Sequence, residues 1–260
     1  MTRDTAASTW RDPWPSRQPS WQDPPWVLSG RVVTGWFDAP WAMVEASISP
    51  DLLPAPSRTV RTRLRFYDLQ FEASAPTSQE LAPVTGTFRE SSLGFPARAQ
   101  GIEGETSAYL WSDSSVYTMW AREAFGWPVV PATIDLDGAI WTDESVLGGT
   151  GSARMADAAG TAELVEITLS TESTGVGTPG APWLTPRRIL RRGGLDGEDR
   201  EVLLVRPETR VAGQRFRGSG NVRFEFPPEH PLSGIADTEA EVELIDGLVL
   251  LVGADVAVLR

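Results

Sequence analysis

Arg61-Thr-Arg-Leu-Arg-Phe-Tyr-Asp-Leu69 alternates polar and apolar side chains with the two-residue period of a half-buried strand. Asn221-Val-Arg-Phe-Glu-Phe226 repeats the pattern near the other end of the chain. Between and around them, strand-like runs recur at Val27–Trp36, Val84–Leu93, Glu105–Ser112, Thr161–Thr171, Ile189–Leu190 with its neighbours, Glu201–Val205, Gly213–Phe226 and Thr238–Val252. Val116–Phe125 is the clearest helix: Tyr117, Trp120, Ala121 and Ala124 share one face, and Gly126 with Pro128 ends it. Many short strands, scattered turns and few helices predict a mainly β (α+β) protein built on an antiparallel sheet, curved or closed.

The chain has 260 residues, 41% of them hydrophobic, enough for a proper core. Residues 1–25 form an arm rich in Pro and Trp, with Trp10, Trp14 and Trp21 inside it and Trp26 at its end. Its prolines forbid regular helix, while its indoles gain from burial, so the arm is expected to wrap over the body or over a partner subunit. Residues 26–260 read as a single domain, with the Gly/Thr/Pro stretch Thr171–Pro182 as a connector inside it.

Composition removes whole mechanisms. All 23 basic residues are arginine, there is one histidine, His230, and there is no cysteine. Without lysine there is no Schiff base, P-loop lysine or pyridoxal-phosphate anchor. One histidine and no thiolate rule out the HExxH zinc pair, thiolate catalysis and disulfides. A formal charge of −12 repels phosphate backbones and anionic lipid, so no nucleic acid and no membrane is expected as a partner. The longest apolar stretch, near Leu248–Leu259, is interrupted by Gly253 and Asp255 and is too short to span a bilayer. Met1–Trp10 lacks the charge-then-apolar order of a signal peptide, which points to a cytoplasmic protein.

Three motif-like stretches have plainer explanations. Gly175-Val-Gly-Thr-Pro-Gly180 matches a dinucleotide fingerprint by letter, but prolines at 179, 182 and 186 deny it the helix that the motif requires. Asp135-Leu-Asp-Gly138 lacks the remaining ligands of a calcium loop and reads as a hairpin turn. His230, within Pro227-Pro-Glu-His-Pro231, reads as a surface or rim residue, and Arg187, Arg188, Arg191 and Arg192 as a solvated face. No metal site and no cofactor is indicated.

The order Gly30-Arg31, Ile48-Ser-Pro-Asp-Leu-Leu-Pro54, Gly86-Thr-Phe-Arg-Glu90 and Ala121-Arg-Glu-Ala-Phe-Gly-Trp-Pro-Val-Val130 resembles the acetoacetate decarboxylase family, with weaker similarity to the C-terminus. The resemblance implies a cone-like or barrel-like antiparallel sheet with outer helices and an enclosed apolar pocket. It places Val129 and Val130 where the family carries its Schiff-base lysine and the neighbour that tunes it, which excludes imine decarboxylation. Arg31 matches the family arginine and Glu90 its glutamate, while Tyr67 stands where a second glutamate is usual. Arg122 and Glu123 keep the helix motif, with Ala121 replacing its glycine.

The resemblance thus implies Glu90, Arg31 and Tyr67 as catalytic candidates, with Val129, Val130, Trp120, Trp127, Arg122 and Glu123 as substrate-binding candidates. Three functions remain open. The first is a cofactor-free enzyme of specialised metabolism that cyclises, dehydrates or rearranges a hydrophobic, polyketide-like carbonyl compound. The second is a lysine-free lyase, decarboxylase or hydratase on a small oxo acid, with Arg31 binding its carboxylate. The third is a non-catalytic small-molecule carrier or sensor. Each takes a small-molecule ligand, and both the arm and the resemblance are compatible with a homo-oligomer.

Overall fold

The computed structural model describes residues 26–72, 86–142, 146–173, 183–190, 198–233, 235, 237–252 and 256–259. The N-terminal arm, Gly175–Gly180, Arg191 and Arg192, most of the Thr171–Pro182 connector and the side chains of Arg187 and Arg188 lie outside the described residues. In chain order the elements are β1 (Trp26–Pro40), α1 (Trp41–Ser47), β2 (Thr59–Glu72), β3 (Thr87–Ala99), β4 (Ile102–Ser112), α2 (Ser115–Phe125), β5 (Val129–Pro131) and β6 (Thr133–Gly138). There follow β7 (Thr150–Ala156), β8 (Thr161–Ser173), β9 (Trp183–Leu190), β10 (Glu198–Val205), β11 (Glu208–Val211), β12 (Arg215–Glu225), β13 (Thr238–Val252) and β14 (Val256–Leu259).

These strands form one sheet in the order β14-β10-β9-β4-β3-β2-β1-β13-β12-β8-β7-β6, with β11 on β13 and β5 on β4. Most pairings are antiparallel, but β4 pairs in parallel with both β5 and β9, so the sheet is mixed. It does not close into a barrel: β14 and β6 stand at its two ends.

It does bend back on itself. β6 lies five strand steps from β1, which would be about 24 Å in a flat sheet. Yet Arg31 Nη1 on β1 donates to the carbonyls of Ile140 and Thr142, just past β6, at 3.0 and 3.1 Å. Arg89 Nη1 on β3 donates to Ile134 O of β6 at 3.0 Å. Arginine side chains thus tie β6 and the segment after it to β1 and β3, and the sheet is an open curl, the curved form of the expected curved or closed sheet.

The curl buries both faces of its central strands. On β2, Leu64 and Phe66 enter a large core with Val33, Phe37, Leu93, Phe95 and Trp111. Tyr67, Leu69 and Phe71, one residue out of phase, enter a second core with Leu28, Val32, Leu110, Tyr117, Trp127 and Val129. Alternation puts successive side chains on opposite faces, so one strand serves two cores.

α2 forms where the sequence predicts it. Ser114 Oγ caps it by accepting from Tyr117 N at 3.2 Å, and Gly126, at φ 67°, closes it in the left-handed conformation. Asp135-Leu-Asp-Gly138 differs from expectation: it is the body of β6, paired with β7 through Gly138, which ends the strand at φ 98°.

Candidate functional site

Antiparallel pairing sets Tyr67 opposite Glu90 and Arg65 opposite Ser92, so all four share one face of β2 and β3. They line a recess together with Leu28, Leu69, Ser107, Leu110, Tyr117, Trp127, Trp183, Leu250 and Val252. The recess is narrow, with a cavity volume of about 30 Å³, and part of it is continuous with solvent. Its walls are mostly aliphatic and indole; its polar groups are concentrated on β2 and β3.

Glu90 is 8% exposed. Burial pushes its carboxyl up to about 7, against the opposing pull of a hydrogen bond from Tyr117 and the charge of Arg65. Tyr117 is driven well above the usual tyrosine range, by burial first and then by the Glu90 charge, so it remains a hydroxyl donor. Its ring stacks on Phe88 at 4.5 Å between centroids, which fixes the donor over the carboxyl. A carboxyl that ionises near neutrality in a largely apolar recess is suited to taking and returning a proton.

Next to it, Arg65 is held from one side. Its Nη2 donates to Glu105 Oε2 at 2.9 Å and its Nη1 lies 2.8 Å from Glu105 Oε1. Arg63, two residues earlier, contacts the same carboxylate and lies 4.9 Å over the Trp36 ring. Gly94 makes this possible, because a Cβ there would sit 2.0 Å from Glu105 Oε1. A buried guanidinium and a half-buried one therefore share one carboxylate.

The predicted site residues divide. Glu90 and Tyr67 come together in the recess. Arg31 does not join them: it pairs with Asp68, on the opposite face from Tyr67. There its Nε donates to Asp246 Oδ1 at 3.0 Å, besides its bonds to the loop after β6. The physical reason is parity, since one residue's difference in register reverses the face.

Val129 is fully buried in the core behind the recess, beside Leu110 and Trp127, whereas Val130 points outward and is 39% exposed. Arg122 donates from Nε to Val129 O at 2.7 Å and so anchors β5 to α2 rather than lining the recess. Trp127 lines the recess, edge-on to Trp183 at 5.4 Å. Trp120 and Glu123 lie on α2, but their side chains fall outside the described residues.

Sequence reasoning missed Arg65, Ser92, Tyr117 and Trp183 as recess residues. Stepping by two from Tyr67 and Glu90 finds Arg65, Leu69 and Ser92; nothing local marks Trp183, which arrives from a distant strand. Among the described residues there is no cluster of three or more His, Cys, Asp or Glu placed to hold a metal ion. None of their helices is long and apolar enough to cross a membrane.

No protein-family model matches the chain, and no curated protein matches it in sequence. Solved structures match it nearly end to end. The enduracididine biosynthesis enzyme MppR superposes with a TM-score of 0.71 at 17% identity, over 92% of this chain and 89% of its own. An acetoacetate decarboxylase-like enzyme from Sphingomonas wittichii RW1 does so at 0.66 and 14%, over 92% and 94%. Acetoacetate decarboxylase from Legionella pneumophila gives 0.60 and 16%, over 95% and 94%. At these identities the likeness is one of fold, and the sheet that sets Glu90 opposite Tyr67 is an acetoacetate decarboxylase-like fold.

Proposed function

We propose that the recess is the active site of a cofactor-free enzyme that cyclises, dehydrates or rearranges a largely apolar carbonyl compound, with Glu90 as its acid and base. The observation that carries this reading is the Glu90 carboxyl, buried, hydrogen-bonded by Tyr117 and raised to about 7 among apolar walls. MppR has been solved with pyruvate and with the condensation product of pyruvate and imidazole 4-carboxaldehyde, which supports a carbonyl ligand in this fold. The chain has no lysine, so the chemistry runs without an imine.

Ionised Glu90 takes a proton from the carbon beside the carbonyl, and the Tyr67 hydroxyl donates a hydrogen bond to the oxygen on which charge develops. In a β-hydroxy compound, the C–H electron pair becomes the new C=C bond as the C–O bond breaks. Hydroxide leaves with the proton from Glu90, as water. In cyclisation the same enolate carbon attacks a second carbonyl of the folded chain, and Glu90 returns its proton to the new alkoxide. Nothing is oxidised or reduced, and Glu90 ends as it began. Apolar walls keep the chain folded in a reactive conformer.

With the carbonyl compound that turnover screening or a deletion strain identifies, Glu90→Gln is expected to lower kcat by about a hundredfold or more. In the parent enzyme kcat/KM should rise with pH through about 7, as Glu90 ionises. A Glu90→Gln enzyme that keeps a third of the parent's kcat would sink the proposal.

A further inference from the structure

Two residues along β3 from Glu90, the recess holds a polar group with nothing to bind. Ser92 is 1% exposed, lines the recess, and its hydroxyl makes no hydrogen bond. Buried hydroxyls are nearly always satisfied, so an unsatisfied one facing empty space marks a place for a missing oxygen or nitrogen. Across the ladder from it stands Arg65, clamped by Glu105, and Ser107 borders the same space. A guanidinium has five N–H donors, more than the contacts with Glu105 employ.

We infer that Arg65 and Ser92 form a second polar subsite, which binds an oxygen acceptor of the substrate remote from its reacting carbonyl. The geometry fixes the spacing. Ser92 follows Glu90 by two residues on the same face of β3, a separation of about 7 Å. A ligand that spans both groups carries two oxygen functions at least four bonds apart, as a 1,5-dicarbonyl compound or a 5-oxo acid does. A 1,3-related pair is too short. Leu28, Leu69 and Leu250 flank the span and suit the intervening methylenes. This inference rests on the reading of Glu90 as the reacting end, but it is a statement about binding and is tested without turnover.

The test measures dissociation constants by calorimetry at pH 7 for three ligands of similar size: 2-heptanone, 2,6-heptanedione and 5-oxohexanoate. The dione or the oxo acid, or both, should bind roughly tenfold tighter than the monoketone, the gain expected from one or two buried hydrogen bonds. A gain by the oxo acid alone identifies a carboxylate as the natural acceptor, and a gain by the dione shows that a neutral carbonyl suffices. Ser92→Ala should shrink the preference to about twofold, and Ser92→Thr should restore it.

Ser91→Ala is the control, because that hydroxyl is equally buried and unpartnered but lies on the other face, opposite Phe66. Removing an unpartnered hydroxyl leaves no partner stranded, so Ser92→Ala should fold with an unchanged or raised Tm. Glu90→Gln should keep the preference even if turnover vanishes, which separates this inference from the proposed reaction. Equal affinity for all three ligands, binding of none at millimolar concentration, or a preference that survives Ser92→Ala would each overturn it.

Discussion

On one face of β2 and β3, Leu64, Phe66, Leu93 and Phe95 pack with no exposed surface at all. On the other, Arg65, Tyr67, Glu90 and Ser92 stand around empty space. The same ladder of backbone hydrogen bonds carries both. The solid face supplies the rigidity that lets the hollow face hold an unpaired hydroxyl and a protonatable carboxyl without collapsing onto them. Substitutions on the two faces should therefore fail in different currencies, stability on one and chemistry on the other.

The largest contrast is between neighbours. Phe66→Ala opens a cavity in the solid core and should lower unfolding free energy by about 3–5 kcal/mol. Tyr67→Phe removes one hydroxyl from the recess wall and should change stability by less than about 1.5 kcal/mol, while reducing turnover. Urea midpoints with unchanged slopes measure both. Equal losses of stability would show that the recess face is packed like the core.

A smaller effect reads the hollow face directly. Glu90 titrates near 4.5 when unfolded and about 7 when folded. Between those values the folded chain holds the proton and the unfolded chain does not, so the carboxyl's contribution to stability falls as pH rises through that window. Gln cannot ionise. The stability of Glu90→Gln relative to the parent should therefore climb by about 3 kcal/mol from pH 4.5 to pH 8. Parallel stability curves would mean that Glu90 is solvated rather than buried.

How much of this was legible in the sequence follows from what each signal measures. Alternation in Arg61–Leu69 reports that a strand has two faces, and it located β2, but it read the strand as half-buried where both faces are buried. It does not report which face meets which neighbour. That depends on register between β1 and β2, which paired Arg31 with Asp68 and Val32 with Tyr67. Order of motifs put Arg31 on β1 and Glu90 on β3, on either side of β2, and one residue of register put them on opposite faces. Composition misled at β6 in the same way: two aspartates and a glycine are turn residues by propensity, yet pairing with β7 makes them a strand. Whether the sheet is curved or closed was not legible, because the contacts of Arg31 and Arg89 join segments far apart in the chain.

Arg31 supplies the smallest and most discriminating test of the two faces. Its guanidinium bonds Asp246 and the carbonyls of Ile140 and Thr142, on the side of β1 that turns away from the recess. Arg31→Met leaves the exposed Thr142 carbonyl to water but strands the part-buried Ile140 carbonyl, so the cost should be about 1–2 kcal/mol. Hydrogen exchange should quicken in β6, whose end those carbonyls follow, and not in β3. Turnover should stay within about threefold of the parent, since no recess residue moves. A tenfold loss of kcat/KM with β6 exchange unchanged would place Arg31 at the substrate and break the division between the faces. Faster exchange with activity intact would show instead that the arginine expected in the site serves to hold the curl of the sheet, and that the guanidinium available to a ligand is Arg65.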